Sequence, residues 1–163
     1  MKKCLILFLY VISFLSCTDD VKFNNPAFQT VKDNVFWRAL NYKASINAAG
    51  EITIEGESGY EKLILHTAST TQQTYILGLN DVSTASYSNT LKGQLADFYT
   101  GTNKGNGQIV ITDYDIEAKT ISGTFKFTTV NADEENVENP TINFTEGVFY
   151  KVPVSDASGG LKL

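Results

Sequence analysis

Between residues 119 and 130 the chain alternates. Ile121, Gly123, Phe125 and Phe127 fall on one side of an extended backbone, and Thr120, Ser122, Thr124, Lys126 and Thr128 fall on the other. Side chains on a strand point to opposite faces in turn, so a period of two sustained this far predicts a β-strand with one dry face and one wet face. Residues 107–112, Gly-Gln-Ile-Val-Ile-Thr, read as its antiparallel hairpin partner, with residues 113–118 as the connection. The pattern returns elsewhere. In residues 51–55, Ile52 and Ile54 oppose Thr53 and Glu55, and residues 63–67 and 74–79 are apolar runs separated by a Ser/Thr/Gln loop. Within residues 28–39, Asp33-Asn34 reads as a two-residue hairpin turn, because both types tolerate positive φ; a helical turn over residues 27–32 is the alternative.

The remaining stretches are less regular. Residues 80–106 scatter Tyr87, Leu91, Leu95, Phe98 and Tyr99 among Ser, Thr, Asn and Gly, which predicts one or two short edge strands and long loops. A last strand covers residues 141–152, where Gly147 interrupts the alternation and marks a bulge and Pro153 ends the run. No stretch has the periodicity of an amphipathic helix, and no internal repeat is present. The expected fold is an all-β, antiparallel sandwich of about 8–9 strands, with an up-and-down barrel as the alternative.

The start of the chain follows another pattern. Lys2 and Lys3 precede a short apolar run, residues 4–15, broken only by Ser13; Ser16 and Cys17 follow, then Asp19 and Asp20. A basic start, a short apolar run and a small residue make a signal peptide, and a membrane span needs about 20 apolar residues. Phe14-Leu15-Ser16-Cys17 resembles a bacterial lipobox, with Ser16 in its usual place and Phe14 and Leu15 departing from the usual Leu and small residue. Cys17 is therefore the expected lipid-attachment site, and Thr18-Asp19-Asp20 resembles the acidic export tag of surface lipoproteins of the Bacteroidota. The expected organisation is a lipoprotein signal peptide (1–16), a lipidated N-terminus and linker (17–26), a β domain (27–153) and a flexible tail (154–163).

Charge narrows the partners. The chain carries net charge -5, and removing residues 1–16 takes away Lys2 and Lys3 but no acidic residue, leaving -7. That balance excludes nucleic acid, which needs a basic face. The only other cysteine is Cys4 in the leader, so an acylated Cys17 leaves no thiol for a disulfide or a cysteine-ligated metal.

Candidate chemistry is sparse. His66 is the only histidine and reads as a wet-face strand residue. Asp113, Asp115 and Glu117 alternate, so their oxygens could gather a cation or serve as a hydrolase acid/base pair; ordinary turn chemistry is the competing reading. Residues 133–138 form an acidic, solvated loop. Asn143-Phe-Thr145 matches a glycosylation sequon but falls in a predicted strand. Tyr42, Tyr60, Tyr75, Tyr87, Tyr99, Tyr114 and Tyr150, with Trp37, either stack on a sugar or peptide or simply fill sheets. No catalytic residue, cofactor or metal ligand is assigned.

The order Trp37-x-Ala39, residues 107–112, Ile121-Ser-Gly-Thr-Phe-x-Phe127 and Thr145-Glu-Gly-Val-Phe149 resembles a family of uncharacterised Bacteroidota lipoproteins, a domain of unknown function, over roughly residues 26–153. The resemblance implies a lipid-anchored envelope protein and brings no activity or functional residues. The expected function is a non-catalytic surface binding or accessory module at the outer membrane for a glycan, peptide or envelope protein, contacting it through residues 80–106 and 131–139. The alternatives are a barrel-type carrier of a small apolar ligand and a hydrolase using the acidic hairpin.

Overall fold

The computed structural model describes residues 25 and 27–156. The apolar leader, Cys17, the acidic tag and the tail beyond residue 156 lie outside the described residues. Eleven strands follow one another: β1 (Ala27–Lys32), β2 (Val35–Arg38), β3 (Asn41–Ile46), β4 (Ile52–Ser58), β5 (Glu61–Thr67), β6 (Thr74–Leu77), β7 (Thr84–Asn89), β8 (Ala96–Tyr99), β9 (Asn106–Asp115), β10 (Thr120–Asn131) and β11 (Thr141–Asp156). The fold is all-β, as the alternation predicts, and residues 27–32 are a strand rather than a helical turn.

The pairing order is β2-β1-β11-β3-β4-β5-β7-β8-β10-β9-β6, with β10 also paired to β11. That extra pairing gives the sheet two faces. β6, β9, β10, β11, β1 and β2 form one group of neighbours, and β3, β4, β5, β7 and β8 form another. Two short ladders join the groups at opposite ends of the β10–β11 hairpin. Beyond Pro153, β11 runs parallel to β3 through Val154↔Ala44 and Asp156↔Ile46. At the other end, β10 meets β8 through Val130↔Tyr99 and Asn131↔Phe98. The eleven strands thus form one mixed sheet with a closed ring of pairings, an arrangement compatible with both sandwich and barrel.

The two faces meet through their dry sides. Phe28 of β1, Ile52 and Ile54 of β4, Leu63 and Leu65 of β5, Ile109 of β9 and Phe149 of β11 are completely buried. Aromatic rings form a continuous column: Phe28–Phe125 at 5.5 Å between centroids, Phe125–Phe127 at 5.7 Å, Phe127–Phe144 at 4.8 Å and Phe144–Tyr87 at 5.6 Å. Phe125 and Phe127 face inward while Thr124 and Lys126 are exposed, so the alternation holds through the middle of β10, but Ser122, expected on the wet face, is buried beside a register shift with β9.

Room for these rings comes from glycines. Gly123 pairs with Phe149, and Phe125 with Gly147, in the β10–β11 ladder. A Cβ on Gly147 would overlap the Phe125 ring; one on Gly123 would overlap both the Phe149 ring and the Val110 carbonyl oxygen. Across the interior, a Cβ on Gly56 of β4 would stand 2.6 Å from the Phe28 ring.

Several expectations are corrected. Asp33-Asn34 does make the hairpin turn, with φ of 44° and 66°. The strands within residues 80–106, however, are not at an edge. β7 lies between β5 and β8, and β8 between β7 and β10. Their outward positions carry small polar residues, which hides a ladder that Ala85, Tyr87 and Phe98 anchor inward. Pro153 does not end the last strand; it pairs with Thr120, and the Val154 amide donates to the Lys119 carbonyl at 2.8 Å. Bulges shift the β10–β11 register twice, between Ile121 and Gly123 and between Phe125 and Phe127. Only the second lies where Gly147 predicts it.

The glycine–ring fit predicts an order of damage in denaturant melts. Phe125→Ala empties a buried site and should cost about 3–5 kcal/mol. Gly123→Ala forces a shift against backbone and should cost about 1–3 kcal/mol. Lys126→Ala, next to Phe125 but on the wet face, should cost less than about 0.5 kcal/mol. Similar losses in all three would contradict an inward Phe125 and an outward Lys126.

Candidate functional site

The residues expected to carry contact or chemistry separate along β10. Its N-terminal end follows the connection from β9 and its C-terminal end leads into the acidic loop, so a strand of 12 residues at about 3.3 Å each holds these features far apart.

At the first end, Asp113 and Asp115 are not in a connecting turn. They belong to β9, opposite Ser122 and Thr120, and only Glu117 lies in the turn. The Asp115 carboxylate accepts from the Ala118 amide at 2.8 Å, which is turn chemistry. Among the described residues there is no group of three or more His, Cys, Asp or Glu placed to hold a metal ion.

At the other end, the two stretches expected to make contact meet. Lys104 pairs with Glu134 at 3.0 Å and donates to the Tyr99 hydroxyl at 2.6 Å. The Ala132 amide donates to the Asp97 carbonyl at 2.8 Å. Residues 78–81 dock on the same surface: the Asn103 amide donates to Gly78 at 3.0 Å, and Thr102 donates to Asp81 through its amide at 2.8 Å and its hydroxyl at 2.9 Å. Those bonds hold the Asp81 carboxyl below its ordinary value. Asn103, Lys104, Val130, Asn131, Asp133, Glu134, Asn136 and Pro140 line a hollow of about 290 Å³ there.

A third cluster was not expected. Glu61 of β5 accepts from the Trp37 indole at 2.9 Å, from the Tyr87 hydroxyl and from Lys32, and Lys32 also donates to Tyr87 at 2.9 Å. The Lys32 ammonium lies 4.7 Å from the Tyr87 ring centroid. These four side chains join β1 and β2 to β5 and β7, closing one margin of the core between the sheets. Partial burial pushes the Glu61 carboxyl up, but the bonds from Lys32, Tyr87 and Trp37 and the Lys32 charge outweigh it, so its pKa lies below the ordinary 4.5. Burial first, and Glu61 second, drive the Tyr87 hydroxyl well above its ordinary value. The signal was present in the sequence: Glu61 stands in phase with Leu63 and Leu65, and Lys32 in phase with Phe28 and Thr30.

The aromatic supply divides. Trp37, Tyr75 and Tyr87 are buried, whereas Tyr60 is 62% exposed, so only part of the expected stacking set is open to a ligand. His66 lies on the outer face, hydrogen-bonded through Nδ1 to Thr53 at 3.1 Å. Asn143 is in β11, where its side-chain oxygen accepts from Thr128 at 2.7 Å.

On the outer face of β9–β11 runs a groove of mixed polar and apolar lining. One part, about 390 Å³, is lined by Gln108, Thr124, Lys126, Glu146 and Val148, with Phe125 and Gly147 also reaching it. A second, about 190 Å³, is lined by Asn106, Lys126, Thr128, Asn143 and Thr145, among others. Lys126 belongs to both.

Fold and surface together define a small all-β domain of two joined sheets, its ring-filled core bordered by loop and groove surfaces. The chain belongs to the family described as Domain of unknown function (DUF6252), whose model matches residues 24–153. No curated protein and no solved structure matches it.

The Glu61 cluster predicts acid sensitivity. A carboxyl whose folded pKa is lowered contributes stability that is present above its unfolded value, near 4.5, and is lost as pH falls through the folded value. Melts recorded from pH 6 down to about 3 should therefore fall more steeply for the wild type than for Glu61→Gln. Glu61→Ala should lose about 1–3 kcal/mol at neutral pH, because the Trp37 and Tyr87 donors lose their acceptor. Parallel acid limbs would remove the cluster from this role.

Proposed function

We propose that this protein is a lipid-anchored, non-catalytic binding module of the cell envelope, tethered through Cys17 at the outer membrane and offering its surface to a glycan, peptide or envelope protein. The observation that carries the reading is the union of residues 78–81, 97–104 and 131–140 into one hydrogen-bonded surface at one end of the β10–β11 hairpin. Binding through loops needs a rigid scaffold beneath them, and the paired strands provide it. The stacked rings at Phe125 and Phe127 occupy the place where a cavity would have favoured a carrier. The turn chemistry at Asp115 favours a structural role for the acidic hairpin over a hydrolytic one.

The anchor has a direct test. Mass spectrometry of the native protein should find acyl chains on an N-terminal Cys17, and Cys17→Ala should release the protein from the membrane without changing its melting temperature. An unmodified N-terminus upstream of Cys17 would end the lipoprotein reading. For the contact surface, residues 133–138 are replaced by a Gly/Ser loop of equal length. Binding to isolated envelope proteins should be lost while the fold survives. Turnover of any of these by the wild type would overturn the non-catalytic reading.

A further inference from the structure

The groove on the outer face of β9–β11 has a construction that the fold does not require. Where β11 passes Lys126 it carries an extra residue: Phe125 pairs with Gly147 and Phe127 with Phe144. The bulge puts Glu146 at φ 53°, the left-handed region that suits glycine, although Gly147 stands next to it. A residue with a Cβ is strained there, and bulges re-aim side chains. The re-aimed residue is a carboxylate, and it lines the same hollow as the Lys126 ammonium.

These two charges do not neutralise each other or anything else. Neither the Lys126 nor the Glu146 side chain has a hydrogen-bond or ion-pair partner among the described residues. The outer face of β3–β5 shows the ordinary solution: Lys62 pairs with Glu55 at 2.6 Å and with Glu57 at 3.3 Å, and Lys43 approaches Glu55 at 3.8 Å. In the groove the opposite charges line one hollow and are left open, with Gln108, Asn106, Thr124 and Thr128 around them.

We infer that this groove binds a neutral, hydroxyl-rich chain, an oligosaccharide, laid across β10. One cation and one carboxylate leave no net charge to attract an ionic ligand. Both are strong partners for hydroxyls, the ammonium as donor and the carboxylate as acceptor, and the amides of Gln108 and Asn106 supply both roles. Val148, half-buried on the outer face, offers apolar surface to the C–H face of a sugar. An extended peptide fits less well. Peptides gain affinity by adding to a strand edge, and here β10 is already paired with β9 on one side and β11 on the other. The groove shares no lining residue with the hollow at residues 131–140. The inference deepens the binding reading and rests on it only in taking the ligand to be bound without being cleaved.

The test titrates the detergent-solubilised full chain calorimetrically with cellohexaose, xylohexaose, mannohexaose and maltohexaose, with oligogalacturonate as an acidic control. At least one neutral hexaose should bind. Lys126→Met and Gln108→Ala should each weaken it by about tenfold. Glu146→Gly is the most telling variant. It relieves the backbone, so its melting temperature should hold or rise, while binding weakens by about tenfold or more. The Gly/Ser replacement of residues 133–138 should leave hexaose binding unchanged. Binding of the acidic control alone, of none of the hexaoses, or with equal affinity by all groove variants overturns the inference and leaves the loop-surface reading standing. Hexaose cleavage with intact groove dependence would instead overturn the non-catalytic reading and keep the groove.

Discussion

Everything in this domain is arranged around phenylalanine rings that lie where a neighbouring strand has no side chain. Phe149 covers Gly123, Phe125 covers Gly147 and Phe28 presses on Gly56. Two of these pairs are reciprocal and adjacent in the β10–β11 ladder. A flat ring over a glycine brings the backbones of paired strands and the interior side chains to close packing without a void, and it sets the register. A slip of one residue would turn the rings outward and bring side chains onto them. The third pair crosses the interior, so the same device that fixes the hairpin also fixes the distance between the sheets.

Fixing β10–β11 this firmly has consequences along its length. Each strand is longer than any one neighbour on its outer edge, so each takes two partners there: β9 then β8 for β10, and β1 then β3 for β11. The hairpin therefore belongs to one sheet along most of its length and to the other at its ends. The bulges make this geometry possible. Phe144, Phe149 and Val152 are separated by odd intervals yet all are buried. An unbroken strand would turn every second one of them outward, and one extra residue between each pair returns the next to the core. The margin between the sheets is closed differently, by Glu61 with Lys32, Trp37 and Tyr87.

How much of this could be read from the sequence follows from the same physics. The alternation of β10 was legible because one face is dry and the other wet, and Ile52 and Ile54 against Thr53 and Glu55 were legible for the same reason. Asp33-Asn34 was legible because few residue types accept its backbone. The bulge near Gly147 announced itself through a glycine; the one at Lys151, φ 48°, did not, because nothing about a lysine marks a left-handed backbone. β7 reads as a short edge strand because its outward residues are serines, threonine and asparagine. Which strands become neighbours was not legible at all. β5 and β6 are consecutive and apolar but do not pair; β6 goes to β9 instead. The Glu61 cluster was hidden because a charged residue in phase with leucines reads as an irregularity until its partners from β1, β2 and β7 are known.

The bulge near Gly147 links the core to the surface. On its inner side it brings Gly147 beneath Phe125 and returns Phe144 to the ring column. On its outer side it leaves Glu146 in a strained conformation beside Lys126. The inner requirement accounts for an extra residue and for the glycine. It does not account for a carboxylate at the strained position, since a glycine or asparagine would meet the backbone's needs at lower cost. The core therefore explains where the groove is, and only the groove gives a reason for the residue that stands in it.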